Sequence, residues 1–300
     1  MPPHLALVGT TASGKSHLAL AIARKDRRVE IMSVDSMQVY RGMDIGTAKP
    51  SLSERAEVPH HLLDLADPWE DFTVARFQHA FCEALADIEA RGNRALLVGG
   101  TGLYLRAAID ELTIPGEYPG VRAALEAEAD TTGLHRRLTG LDPVAAARIE
   151  PTNRRRLVRA LEVTLGSGRP FSSFGPGLEA YPSTRFRLLG IALPPHVVAG
   201  RIATRYHDQV ARGFVGEVRG LAANPKGWSR TARQALGYRE LHEHVHGRVG
   251  LDEALDAAIA RTRRFARRQR AWFRRDPRIR WFEADQPAAL EPALLNALAD

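Results

Sequence analysis

One octapeptide, Gly9-Thr10-Thr11-Ala12-Ser13-Gly14-Lys15-Ser16, limits what this chain can fold into more than any other stretch. It has the Gly-x-x-x-x-Gly-Lys-Ser form of a phosphate-binding loop. In such a loop, glycines let backbone N–H groups wrap phosphate oxygens. The lysine neutralises charge between them, and the serine hydroxyl suits Mg²⁺. The apolar run Leu5–Val8 precedes the loop, and the alanine- and leucine-rich stretch His17–Asp26 follows it. A strand leading in and a helix leading out form the context that makes the pattern functional, because the helix N-terminus adds partial positive charge. The pattern leaves open whether the phosphates belong to a nucleotide such as ATP.

The organisation around the loop is that of an α/β protein. Val29–Val34 is a second apolar run, ending at Asp35, and residues 73–90 place Val74, Phe77, Phe81, Leu85 and Ile88 at helical spacing. Ala95–Val98 is a third strand candidate, ending at Gly99-Gly100-Thr101-Gly102, and Leu103–Ile109 opens a helix. Strands alternating with helices predict a parallel sheet with crossover helices. From Pro115 to about Pro182 no strand pattern appears. Val121–Ala129, Leu134–Leu138, Pro143–Ile149 and Arg154–Gly166 read as helices there. Phe186–Leu193 then reads as a strand, helices resume at 195–212, and Ala288–Ala299 reads as a last helix. The expected architecture is a phosphate-loop α/β core built from residues 1–112 and 184–300, with an all-helical insertion at 113–183.

Parallel strands gather their C-terminal ends at one edge, where ligands bind. Asp35 and Thr101 both end strands, so both are expected beside the loop, unless they merely cap helices or, for Asp35, hold Mg²⁺ through water. Arg201 and Arg205 stand four apart on one helix face, either as a joint diphosphate clamp or as an exposed pair.

Charge raises the question of a partner. Formal net charge is +7, and the first third of the chain is close to neutral, so the excess lies beyond it. An uneven basic region suggests RNA or DNA. Against that, nearly all the cations are arginine, which a general preference for arginine also explains. Two clusters are harder to explain that way. One is Arg154-Arg155-Arg156 with Arg159. The other spans residues 261–280, with ten arginines against a single acid, Asp276. From just before it, Ile259, Thr262, Phe265, Ala266, Gln269, Trp272 and Phe273 recur at steps of three and four, the core face of a helix with a cationic outer wall. Mutual repulsion among so many cations favours a phosphate-bearing ligand.

Other classes are excluded more simply. An apolar content of 44% excludes a disordered chain, and one cysteine, Cys82, excludes an internal disulfide and a cysteine-based zinc finger. No apolar run approaches the ~20 residues of a membrane span, and the first eight residues lack a secretory leader, so a reducing cytoplasm is expected. His242-Glu243-His244-Val245-His246 fits His-Glu-x-x-His, but Gly247 follows at once, so the helix that a zinc protease needs is ending.

Seven collinear blocks together resemble the tRNA dimethylallyltransferases, also called tRNA isopentenyltransferases. They are the Gly9–Ser16 loop, Ser33–Pro50, Pro59–Asp64, Gly99–Tyr104, Asn153–Glu162, Gly237–Glu240 and Arg267–Phe273. The resemblance runs from about Leu5 to Phe282. It implies transfer of a dimethylallyl group from its diphosphate to N6 of the adenosine just 3′ of the anticodon. It implies that Gly9–Ser16 holds the prenyl diphosphate rather than ATP, with Mg²⁺ on Ser16 and Arg205 on the leaving group. Asp35 matches the family's proposed base, and Thr101 the residue that helps position the amine. By the same resemblance Asp35, Ser36, Met37 and Gln38, together with Arg155, Arg156, Leu157, Val158 and Arg159, contact tRNA. Arg122 matches a position near the substrate, and the insertion reaches around the anticodon arm. Thr10 stands where a proline is usual, Ser16 where threonine is common, and Asn153 where some members have aspartate; no catalytic group is lost. A small-molecule kinase, a prenyltransferase of free adenine nucleotides and an RNA-binding NTPase are the rival readings. A monomer is expected.

Overall fold

The computed structural model describes residues 4–285 together with Leu290 and Pro292. In chain order it begins β1 His4–Gly9, α1 Lys15–Lys25, β2 Val29–Val34, α2 Leu52–Glu57, β3 His60–His61, α3 Val74–Ala90, β4 Arg94–Gly99 and α4 Gly102–Ile109. Four helices follow: α5 Pro119–Ala127, α6 Thr131–Leu141, α7 Pro143–Ala147 and α8 Arg154–Ser167. The chain then forms β5 Phe186–Ala192, α9 Pro195–Ala211, α10 Phe214–Ala222, α11 Tyr238–Val245, α12 Leu251–Phe273 and β6 Arg280–Glu283. It divides into two compact units, residues 1–109 with 183–300 and residues 110–182.

The first unit is an α/β core. Its strands run in the order β3-β2-β4-β1-β5-β6, and every described pairing is parallel. β1 and β2 are buried along their whole length. Burial on both faces is why Leu5–Val8 of β1 reads as a continuous apolar run rather than an alternating one, while the buried Glu30 of β2 is held by His61, Arg91 and Asn93. α3 docks on the sheet through Phe77, Phe81, Leu85 and Ile88, and Thr73 caps it by accepting the Arg76 N–H at 3.3 Å.

The second unit is helical and has its own core. Leu125, Leu134, Leu138, Leu157, Val158 and Leu161 pack together within it. Arg154 closes the C-terminal end of α5 by donating to the carbonyls of Leu125, Glu126 and Glu128. Asp142 starts α7 by accepting the Ala145 N–H at 3.0 Å and ties back to Ser172 at 2.7 Å.

Two strands had no sequence signal strong enough to name. β3 has only two residues, and β6 is four residues at the sheet edge. β6 also corrects the reading of 261–280 as one helical wall. α12 stops at Phe273, Asp276 takes the Arg278 N–H at 3.0 Å beside Pro277, and Arg280 belongs to a strand. Proline disfavours helix at the residue before it, which is why the helix ends there. Ile259, Thr262, Ala266, Gln269 and Phe273 are buried as expected, while Arg263, Arg264, Arg267 and Arg268 are exposed. The helix expected at Ala288–Ala299 lies outside the described residues except at Leu290 and Pro292.

The close pairing of β4 with β2 generates a prediction. A Cβ at Gly99 would collide with the backbone of Val34. Gly99→Ala is expected to lower stability by about 1–3 kcal/mol, read as a reduced urea midpoint at unchanged slope.

Candidate active site

Four neighbouring strands, β2, β4, β1 and β5, deliver the site residues to one edge of the sheet. Asp35 follows β2, Thr101 follows β4, the loop follows β1, and Arg205 lies on α9 after β5. Parallel order makes this convergence automatic, because all four C-terminal ends point the same way.

The loop is a tight backbone turn. Gly14 has φ +93° at the start of α1, a conformation that favours glycine. The Ser13 N–H donates to the Thr10 carbonyl at 3.3 Å, and Lys15 Nζ donates to the same carbonyl at 2.7 Å. The Ser13 hydroxyl is buried and has no hydrogen-bond partner among the described residues. Ser16 is exposed at the mouth. Arg201 Nε donates to the Ala12 carbonyl at 2.8 Å, so it braces the loop from outside.

Three charges face each other here. Burial pulls the Lys15 ammonium down to a pKa of about 8, with Asp35 opposing and Arg205 adding to the fall. Burial pushes the Asp35 carboxyl above its ordinary value, although the Met37 N–H at 2.8 Å and the cations Lys15 and Arg205 work against it. The Arg205 guanidinium is pulled below its ordinary value by burial, and its Nε has no hydrogen-bond partner among the described residues. A buried donor and a buried hydroxyl without acceptors beside two cations form a site shaped for an anion. The pair Arg201–Arg205 therefore divides its work: one supports the loop backbone and the other faces the site.

Thr101 Oγ1 accepts the Ser36 N–H at 3.1 Å and lies 3.4 Å from Ser36 Oγ. Its side chain thus ties the β4 loop to the segment carrying Asp35 rather than capping α4. Gln38 is used internally: its Oε1 accepts from Ser33 Oγ at 2.7 Å, and its Nε2 donates to the Thr47 carbonyl at 3.1 Å.

In the helical unit the predicted RNA residues separate by role. Arg155 and Arg156 are exposed on the first turn of α8. Arg159 donates to the carbonyls of Pro115 at 2.8 Å and Gly116 at 3.1 Å and pairs with Glu162 at 3.1 Å. Arg122 lies 3.7 Å from the fully buried Glu162 and 3.4 Å from Glu126. Leu157 and Val158 of the same segment turn their side chains inward. They are 0% and 3% exposed and fill the unit's core, because they fall on the inner face of α8.

One site residue escaped sequence reasoning. Gln269 Oε1 accepts the Thr11 N–H at 2.8 Å, and Gln269 Nε2 donates to the Gly100 carbonyl at 2.8 Å. The available signal was an amide on an otherwise apolar helix face, since a buried amide needs partners. Among the described residues no group of three or more His, Cys, Asp or Glu side chains could hold a metal. The exposed Ser16 hydroxyl at the loop is the protein group that would meet Mg²⁺ there.

Residues 38–276 match the family model described as IPP transferase. The chain belongs to the IPP transferase family. Its relatives include a tRNA dimethylallyltransferase of Nocardioides, 45% identical, with 97% of this chain and 94% of the relative covered. One from Geobacter metallireducens is 48% identical, covering 92% and 90%. The crystal structure of the full-length tRNA isopentenylpyrophosphate transferase of Bacillus halodurans has a TM-score of 0.71 at 36% identity, covering 100% of this chain and 96% of that one. A eukaryotic dimethylallyltransferase caught acting on tRNA has a TM-score of 0.84 at 25% identity, covering 100% and 78%. As a member of the IPP transferase family the chain is a transferase. No helix among the described residues is long and apolar enough to cross a membrane.

The low Lys15 pKa has a testable sign. Below about pH 8 the amine is protonated and attracts an anion, and above it the charge is lost. Pyrophosphate affinity is therefore expected to fall as pH rises through 8 in calorimetric titrations. Lys15→Arg, which stays charged, should flatten that slope.

Proposed function

We propose that this IPP transferase moves a dimethylallyl group from its diphosphate to N6 of the adenosine 3′-adjacent to the tRNA anticodon. The observation that carries the reading is the convergence of Asp35, Thr101, Lys15 and Arg205 at one sheet edge, with the Arg205 Nε and the Ser13 hydroxyl buried and unpaired.

The chemistry follows from the charges. The N6 lone pair attacks C1 of the prenyl chain while the C1–O bond breaks and diphosphate leaves. Allylic carbon tolerates positive charge, so a weakly nucleophilic amine suffices. The growing negative charge on the diphosphate meets Lys15, Arg205, the Ser13 hydroxyl and the N–H groups of the loop. Mg²⁺, held by Ser16 and phosphate oxygens, would add charge stabilisation to the leaving group. Asp35 takes the N6 proton, and its raised affinity for protons suits that task. Thr101 holds the Ser36 backbone and so fixes where the base stands. The adenine must leave its stack to reach this edge. Arg155 and Arg156 offer exposed cations for the RNA backbone, and Arg122, braced by Glu162, is a further candidate. Ser36 and Met37 flank Asp35 and belong to the same RNA-facing segment.

Labelled dimethylallyl diphosphate, Mg²⁺ and an unmodified tRNA carrying adenosine after the anticodon test the reading directly. Wild type is expected to label the tRNA, and Asp35→Asn to lower kcat by about 10²–10⁴-fold. ATP hydrolysis without label on any tRNA would replace this reading with the kinase or NTPase one. Arg155→Ala and Arg156→Ala should each weaken tRNA binding and reduce the slope of log affinity against log salt by about 1.

A further inference from the structure

α12 is a core helix with an arginine wall, and its inner face carries one buried amide. Gln269 is 6% exposed on the inner face of α12, between Ala266 and Phe273. Its two amide atoms bond two different loops: Oε1 takes the Thr11 N–H of the phosphate loop, and Nε2 gives to the Gly100 carbonyl of the Thr101 loop, each at 2.8 Å. The approach is close enough to require glycine on the far side. A Cβ at Gly100 would collide with the Gln269 amide, and one at Gly102 with the Trp272 indole. The helix therefore touches the site at two consecutive turns.

We propose that Gln269 is a positioning residue for the transfer reaction, setting the spacing between the diphosphate loop and the loop that carries Thr101. The physical argument has three steps. Side chains from outside the loop tie the backbone of Thr11 and Ala12, Gln269 the first and Arg201 the second, so Gln269 supplies an external brace on the turn that must wrap the diphosphate. The same amide fixes Gly100, whose neighbour Thr101 holds the segment of Asp35 through Ser36. One side chain thus links the leaving-group side to the base side without touching either reacting atom. A glutamine does this where an apolar residue of equal size cannot, because one buried N–H and one buried carbonyl both need partners. Leucine or methionine would leave both unmet.

The inference rests on the reading that Gly9–Ser16 holds the prenyl diphosphate, and the test separates the two. Wild type, Gln269→Met and Gln269→Glu are compared in steady-state transfer assays and by backbone hydrogen exchange of the unliganded full chain. In Gln269→Met, exchange of the peptide containing Thr11 should quicken about tenfold, the loss expected from one buried hydrogen bond. KM for dimethylallyl diphosphate should rise about tenfold while KM for tRNA stays within twofold. Gln269→Glu keeps the acceptor for Thr11 and should restore protection of that peptide. Unchanged exchange in Gln269→Met, or a lower active fraction with both KM values unaltered, would overturn the proposal. If wild type transfers no label, the functional reading fails, and the exchange comparison still decides whether Gln269 sets the loop.

Discussion

The parallel register of β2, β4, β1 and β5 is the constraint on which the site depends. It brings Lys15, Asp35 and Arg205 together where none of them is comfortable. Burial lowers the pKa of Lys15 and Arg205 and raises that of Asp35, and the attraction between Asp35 and the two cations only partly offsets it. Charged groups held in so poor a solvent are tolerated where a ligand completes them. The sheet, with strands buried on both faces, supplies the rigidity that keeps them there.

Around this cluster the protein spends neutral polar groups on geometry. Thr101 binds Ser36, Gln38 binds Ser33 and the backbone at Thr47, and Gln269 binds Thr11 and Gly100. None of these adds charge to the cluster of Lys15, Asp35 and Arg205. In the helical unit the buried carboxylate of Glu162 plays the corresponding part. Glu162 accepts the Tyr118 N–H at 2.9 Å and pairs with Arg159, with Arg122 beside it, so two of the unit's cations are held from within. Arg155 and Arg156 are left on the surface.

Much of this was legible in the residues. The loop, the strand ends at Asp35 and Thr101, and the buried stripe of α12 followed from spacing and periodicity. What was not legible has physical causes. Periodicity cannot see an edge strand as short as β6, so Arg280 was placed on a helix that ends at Phe273. Spacing within the Asn153–Glu162 block does not show that the turn of α8 points the Leu157 and Val158 side chains inward and leaves Arg155 and Arg156 exposed.

The sequence by itself determined the α/β class, the tight Gly9–Ser16 turn between β1 and α1, and the family, because those depend on local pattern and on residue identity at fixed spacing. Tertiary structure decided what each polar side chain is for. Arg201 and Arg205 are equivalent in spacing, yet one braces Ala12 and the other faces the site. Gln269 lies 258 residues from Thr11, and its role exists only once the sheet has brought the two together. Hydrogen bonds and burial depend on neighbours in space, and spacing along a chain does not specify those neighbours.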